Sequence, residues 1–383
     1  MIDPAGGSRD DAESRDIIVF VSMSRGIGGP ARSLLSVLAH LSDDVQRVLF
    51  APPGNLVQLA RGAGSIEQYL PMPYRLRFRQ LSRLRAAVAL AGFVRRHRQR
   101  ILAIHANGQT EPNLCALSTL LSGVPVVMWA HASKANPSAG LLRSLWRRRR
   151  GRVRWLAVSE TARETLAHTV GIDPADISIV TNPIDPADVV GPRTAHDRVQ
   201  IGYLGLASPA KGWHLLPEIV RTVGPDGVGW QIFTAKPAPH APPEVRGPWD
   251  ELEGLSEDFA IALRGRTLNV RRAYASCDIV LCPSSNESFG RIAAEAMMNG
   301  LPVVGSDIPA FRELVAERGG GVLFPTGDAI AAGTALRTLV DDPDLRQVMG
   351  QRGREHVARY SPRRLVPLLE AAYRQAGAER NRI

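Results

Sequence analysis

Cysteine is scarce, with three in 383 residues, at positions 115, 277 and 282. Three scattered thiols build neither a disulfide framework nor the paired spacing of a Cys-based zinc site. No apolar run reaches the roughly 20 residues that a bilayer-spanning helix needs. Residues 1–16, MIDPAGGSRDDAESRD, are acidic and polar where a secretory leader is basic and then apolar, so a frayed tail is expected there. A cytoplasmic protein, or one peripheral at the inner face of the membrane, is the expectation that follows. Lysine is nearly missing: Lys134, Lys211 and Lys236 are the whole set, and arginine carries the positive charge. Aromatic residues are 5% of the chain and do not interleave with the arginines as base stacking requires, so nucleic acid is not an expected partner.

What is present fits an ordinary globular chain of about two domains, 44% apolar and 22% charged. The net charge of +10 is unevenly spread. Arg75, Arg77, Arg79, Arg83, Arg85, Arg95, Arg96, Arg98 and Arg100 crowd one stretch that holds no acid. Arg143, Arg147, Arg148, Arg149, Arg150, Arg152 and Arg154 form a second cluster around Trp146. Dense like charge is costly unless an anion is near. Three readings stand for it: a solvated face, an anionic membrane surface presenting a lipid-linked acceptor, or an anionic soluble acceptor.

Apolar runs and amphipathic stretches alternate along the chain. Strands are expected at 17–23, 47–51, 101–105, 124–129, 153–158, 199–205, 230–234, 259–263, 278–282 and 301–304. Helices are expected from Pro30, then at 81–98, 111–121, 140–148, 160–170, 270–276, 290–298, 328–340, 343–360 and 363–375. Ser159 is a natural N-cap and Gly300 a natural C-cap. The proline-rich run 236–248 reads as a loop. The pattern is α/β: two Rossmann-like parallel-sheet domains facing a cleft, 17–197 and 198–360, with a final helix in 361–383 that returns to the first.

The most informative stretch is NESFGRIAAEAMMNG, 286–300. A loop at the carboxyl end of a buried strand leads into a helix, where open parallel sheets bind ligands. Gly290 permits close backbone approach, and a helix start offers unpaired N–H groups to an anion. Glu287 and Glu295 add two carboxylates. Such a set suits a ligand with both hydroxyls and phosphates, as a nucleotide sugar has. By contrast, Gly26, Gly28 and Gly29 lack the spacing of the dinucleotide fingerprint.

With SFGRIAAEAM come LPVVGSDIPAFRELV, GYLGLASPAKGWHLL, AVSETARETL, TNPID and DDPDLRQVMGQRGREHVARYSP. Together, and running in family order along the chain from Gly28 to about Pro362, they resemble the GT-B fold retaining glycosyltransferases of family 4 (glycosyl transferases group 1). The resemblance implies that Glu295 holds the donor ribose, and that Glu287, with Ser288, Phe289 and Gly290, contacts the transferred sugar. It implies that Lys211, in the loop after Gly205, neutralises the donor diphosphate. Gly28 and Gly29 would bring backbone N–H groups near the phosphates, and His131 would be the active-site histidine beside the sugar. His105 and Asn107 are expected on the acceptor side.

One departure stands out. Leu206 occupies the place of an arginine that commonly shares the diphosphate, and Arg291 is expected to substitute for it. Asp342 and Asp344 resemble a metal-binding pair but lie where a helix cap is expected, so neither metal nor cofactor is called for. The function implied is transfer of a hexose-type sugar, with retention, from a nucleoside-diphosphate sugar to the hydroxyl of a glycan, lipid-linked or small-molecule acceptor. A catalytically impaired sugar-nucleotide-binding protein of the same fold, and a GT-B epimerase, are the alternatives.

Overall fold

The computed structural model describes residues 15–73, 79–108, 111–119, 122–131, 152–185, 197–267, 269–316 and 319–380. The chain divides into two units, Met1–Pro183 with Pro362–Ile383, and Ile184–Ser361. The helix expected at 140–148 and the arginines at 75, 77, 143 and 147–150 lie outside the described residues.

The first unit alternates β1 (Asp16–Val21), α1 (Gly29–His40), β2 (Val45–Ala51), α2 (Asn55–Gly62), β3 (Gln68–Pro71), α3 (Arg79–His97), β4 (Ile101–Asn107) and α4 (Glu111–Thr119). It continues with β5 (Val126–Ala130), β6 (Val153–Ala157), α5 (Glu160–Val170) and β7 (Ile177–Ile179). Its sheet runs β3-β2-β1-β4-β5-β6-β7, with every pairing parallel. Helices cover both faces of such a sheet, which is why Ile17–Val21 and Val126–Ala130 are continuous buried runs rather than alternating ones. Ser159 caps α5 by accepting from Ala162 N at 3.1 Å.

The second unit alternates β8 (Val199–Leu204), α6 (Leu216–Val223), β9 (Val228–Phe233), α7 (Pro243–Gly254), β10 (Ile261–Leu263), α8 (Val270–Ala275) and β11 (Ile279–Cys282). Then come α9 (Arg291–Met298), β12 (Val303–Ser306), β13 (Gly321–Phe324), α10 (Ala329–Asp341) and α11 (Pro343–Val357). The sheet order is β10-β9-β8-β11-β12-β13, again parallel throughout. Trp213, Trp230, Ile279 and Leu336 sit fully buried in its core.

Two local readings are corrected. The run 236–248 is not all loop, because α7 begins at Pro243 with Pro242 as its N-cap. Proline costs nothing at the first helical position, where the N–H has no intrahelical partner. The interior Pro248 does forfeit a bond, but Pro248, Trp249 and Leu252 bury one face of the helix. At the end of α9, Asn299 is the C-cap and Gly300 follows it in the left-handed region, with φ +68.

The last helix, α12 (Pro362–Arg380), belongs to the first unit. Glu370 accepts from Ser42 N at 2.7 Å, Arg374 pairs with Asp44, and Arg380 donates to the carbonyl of Arg98 at 2.7 Å.

Candidate active site

In each sheet the strand order reverses direction at the sheet's first strand in sequence. β1 lies between β2 and β4, and β8 lies between β9 and β11. Loops leaving the carboxyl ends of such strands diverge and open a crevice for ligands. The loop after β8 carries Lys211, and the loop after β11 carries Glu287. The loop after β1 carries Gly28 and Gly29, β4 ends at Asn107, and His131 follows β5.

In the second unit Lys211 Nζ lies 2.5 Å from Glu287 Oε1, both side chains partly exposed. Ser284 Oγ donates to the same oxygen at 3.0 Å. The two loops are also joined through backbone, Ser285 N donating to Ala210 O at 3.1 Å. Lys211 ends a short 3-10 turn that closes on Gly212 at φ +68. A Cβ there would lie 2.0 Å from the carbonyl oxygen of Pro283, so this close approach requires glycine. Tyr203, 2% exposed, donates its hydroxyl to Leu206 O at 2.9 Å and fixes the turn from below. Burial, with the nearby Glu287 carboxylate adding to it, pushes the Tyr203 phenol far above its ordinary value, so it acts as a donor and never as an anion.

Leu206 is 60% exposed beside this turn and makes no cationic contribution. Gly290 N-caps α9 in the left-handed region, φ +86. Phe289 is buried and packs edge-on against Tyr360, ring centroids 5.3 Å apart. Ser288 is half-buried between them and Glu287.

Glu295 is only 2% exposed. Its Oε1 accepts from Arg291 Nε at 2.6 Å and its Oε2 from the Tyr274 hydroxyl at 2.9 Å. The arginine expected to serve phosphate thus has its Nε on the carboxylate one helical turn away, with 9% of its side chain exposed. The i,i+4 spacing explains this, since both residues occupy one face of α9. Tyr274, Tyr203 and Ser284 are additions to the residues singled out in the sequence. Nothing marks a lone buried tyrosine in a sequence as a hydrogen-bond donor to a site, so only Ser284, three residues before Glu287, was within reach.

In the first unit Gly28 caps α1 and Gly29 opens it. A Cβ on either meets nothing within 4 Å, and neither has a positive φ. Open access to the helix end is therefore what glycine provides there. Asn107 Nδ2 donates to Pro30 O at 3.2 Å, and its Oδ1 pairs with His131 Nε2 at 3.1 Å. Asn107 thus joins the helix start to the half-buried His131, whose ring also packs edge-on against Trp129.

His105 is corrected. Expected on the acceptor side, it is fully buried, its Nδ1 paired with the Tyr373 hydroxyl at 2.9 Å. Desolvation holds its pKa down at about 4, against a partial upward pull from Asn107. Strand alternation explains the placement, for residues two apart share a face and His105 faces α12 while Ile104 and Ala106 face the core beneath α3 and α4. Asn107 is 1% exposed, so it positions His131 rather than meeting an acceptor itself. Asp342 caps α11, accepting from Leu345 N at 2.8 Å. Among the described residues no group of three or more His, Cys, Asp or Glu could hold a metal ion.

The family model described as Glycosyltransferase Family 4 matches residues 27–188, and that described as Glycosyl transferases group 1 matches residues 250–356. The chain belongs to the family 4, group 1 glycosyltransferases. The phosphatidyl-myo-inositol mannosyltransferase of Mycolicibacterium smegmatis is 28% identical over 87% of this chain and 86% of its own length. The D-inositol 3-phosphate glycosyltransferase of Corynebacterium urealyticum is 32% identical over 195 residues. The chain spans only 42% of that relative, and 56% of its namesake in Corynebacterium glutamicum. The fold is GT-B, shared with Anabaena Alr3699/HepE in complex with UDP and glucose: TM-score 0.76, 19% identity, 93% of this chain and 98% of that one covered.

Proposed function

We propose that this family 4 chain transfers a hexose-type sugar from a nucleoside-diphosphate sugar to an acceptor hydroxyl, with retention of configuration. The observation that carries the reading is the Lys211–Glu287 pair, 2.5 Å apart, on the loops that diverge at the reversal of the second sheet. Departure of a nucleoside diphosphate from an anomeric carbon builds negative charge on the β-phosphate and positive charge on the sugar. Lys211 answers the first charge, helped by the N-terminus of α9. Glu287 holds Lys211 in place before the donor arrives and then turns to the sugar hydroxyls. Glu295, held by Arg291 and Tyr274, is the carboxylate this reading assigns to the ribose diol. In the first unit Gly28 and Gly29 give open N–H access to an anion, and His131, held by Asn107, is the histidine assigned to the active site in this reading.

No side chain stands out as a covalent nucleophile, so retention follows from attack on the face the leaving group departs from. The carboxylate-separation rule for hydrolases has no bearing, because these glutamates bind the donor. The Anabaena protein that shares this fold is known with UDP and glucose, which supports a uridine nucleotide as the first donor to try. The acceptor class is a glycan or a lipid-linked intermediate, in keeping with the name of the mannosyltransferase relative.

The test is mass-spectrometric detection of product from a panel of sugar nucleotides offered with extracted lipids, and the anomeric coupling constant of the product read by NMR. Binding of UDP or GDP by calorimetry without any transfer or hydrolysis would favour the second reading, a sugar-nucleotide-binding protein, which the exposed Leu206 in place of a phosphate-binding arginine supports. Turnover is expected to survive EDTA unchanged. Loss of turnover that manganese restores would refute the metal-free mechanism.

A further inference from the structure

The described residues hold nine exposed large hydrophobics, and three of them share one helix face: Leu81, Leu84 and Val88 of α3, at 48%, 59% and 65% exposure. Scattered exposed aliphatics need no explanation, but a cluster at i, i+3 and i+7 does. At 100° per residue these three fall within about 60° of arc, opposite the buried Ala86, Ala87, Leu90, Phe93 and Val94. Exposed Arg85, Arg95 and Arg96 border the same arc. From Gln68 through Thr110 the sequence contains no acid, so nothing on this stretch neutralises them. The positive field is felt by neighbours. His97 is held below its ordinary value by desolvation and then by Arg96 and Arg100, and Arg380 by desolvation and then by Arg98 and Arg152.

We propose that this outer face of α3 docks on an anionic lipid bilayer, Leu81, Leu84 and Val88 entering the headgroup boundary while Arg85, Arg95 and Arg96 pair with acidic headgroups. The chemistry selects this partner. Arginines alone would suit nucleic acid equally, but exposed leucine and valine gain nothing from a phosphate backbone and much from acyl chains. No helix among the described residues is long and apolar enough to cross a membrane, so the contact is of the kind that lies on the surface. The proposal is independent of the donor chemistry, since it concerns residues remote in sequence from Lys211, Glu287 and Glu295.

The experiment is vesicle co-sedimentation of the full chain without any sugar nucleotide, using phosphatidylcholine vesicles with and without phosphatidylglycerol. Binding is expected only with phosphatidylglycerol, falling at high salt. The double substitutions Arg95→Gln/Arg96→Gln and Leu84→Gln/Val88→Gln are each expected to weaken it by roughly tenfold or more, with UDP binding unchanged as the control for folding. All four side chains are exposed, so neither variant disturbs the core. Three outcomes overturn the proposal. One is no binding to anionic vesicles at low salt, and another is binding that both variants retain. The third is a self-associated protein that the leucine–valine variant converts to monomer, which would make this face a contact between copies.

Discussion

At the scale of single residues, one ammonium group carries most of the proposed chemistry. Lys211→Ala is expected to lower kcat by roughly 10²–10³, the usual cost of removing a group aimed at developing charge. A KM effect alone would reassign Lys211 to ground-state binding. Tyr274 has a different part. Tyr274→Phe removes one donor from the buried Glu295 carboxylate, which should cost about 1–3 kcal/mol in stability. It should also weaken UDP binding several-fold by calorimetry. Unchanged affinity would take Glu295 out of nucleotide contact. Lys211 and Glu287 could be picked out in the sequence because each sits in a glycine- and serine-containing loop flanked by apolar runs. Their direct pairing could not, since it depends on two loops 76 positions apart arriving side by side. Arg291 shows the reverse: its helical spacing from Glu295 was on view, and the pairing follows from it.

At the scale of elements, α9 depends on how it begins. Gly290 has φ +86, and a Cβ there would lie 2.5 Å from Phe311 Cε1. Gly290→Ala is therefore expected to destabilise the protein by about 2–4 kcal/mol, combining left-handed strain with overpacking, as read from urea denaturation. Helices with clear caps and long buried strands were readable to within a few residues, as α5 and β1 show. Three of the four edge strands were not. β3, β7 and β13 are three or four residues long and only partly buried, so they carry too little hydrophobic signal to stand apart from loops. α2 was hidden in the same way by its eight residues. α7 was missed because proline is read as a breaker, though its first prolines occupy the two positions that tolerate it.

At the scale of the whole molecule, the buried His105 links acidity to stability. Its pKa is about 4 in the fold against 6.5 when free, so the unfolded chain binds the extra proton first. Stability is then full above about pH 6.5 and is lost as pH falls toward 4, by up to roughly 3 kcal/mol. His105→Gln should flatten that part of a urea-midpoint-versus-pH curve while retaining a partner for Tyr373. A curve as steep as the parent's would assign acid sensitivity elsewhere. The division into two parallel-sheet units was readable from β/α alternation alone. That His105 is capped by a helix more than 250 residues later was not, because alternation says which way a strand residue faces but not what covers it.

The partner of that histidine, Tyr373, rides on α12, and so the two ends of the polypeptide serve one unit while the middle makes the other. In genetic terms Ile184–Ser361 is an insertion within its host. A ribosome therefore releases the complete second unit before it has finished the first, whose opening half waits for the final helix to be translated. A gene cut after Pro183 would strand the Ser42 amide, His105 and Asp44 without Glu370, Tyr373 and Arg374. Dissection into halves succeeds only by splicing the terminal helix back onto the first segment.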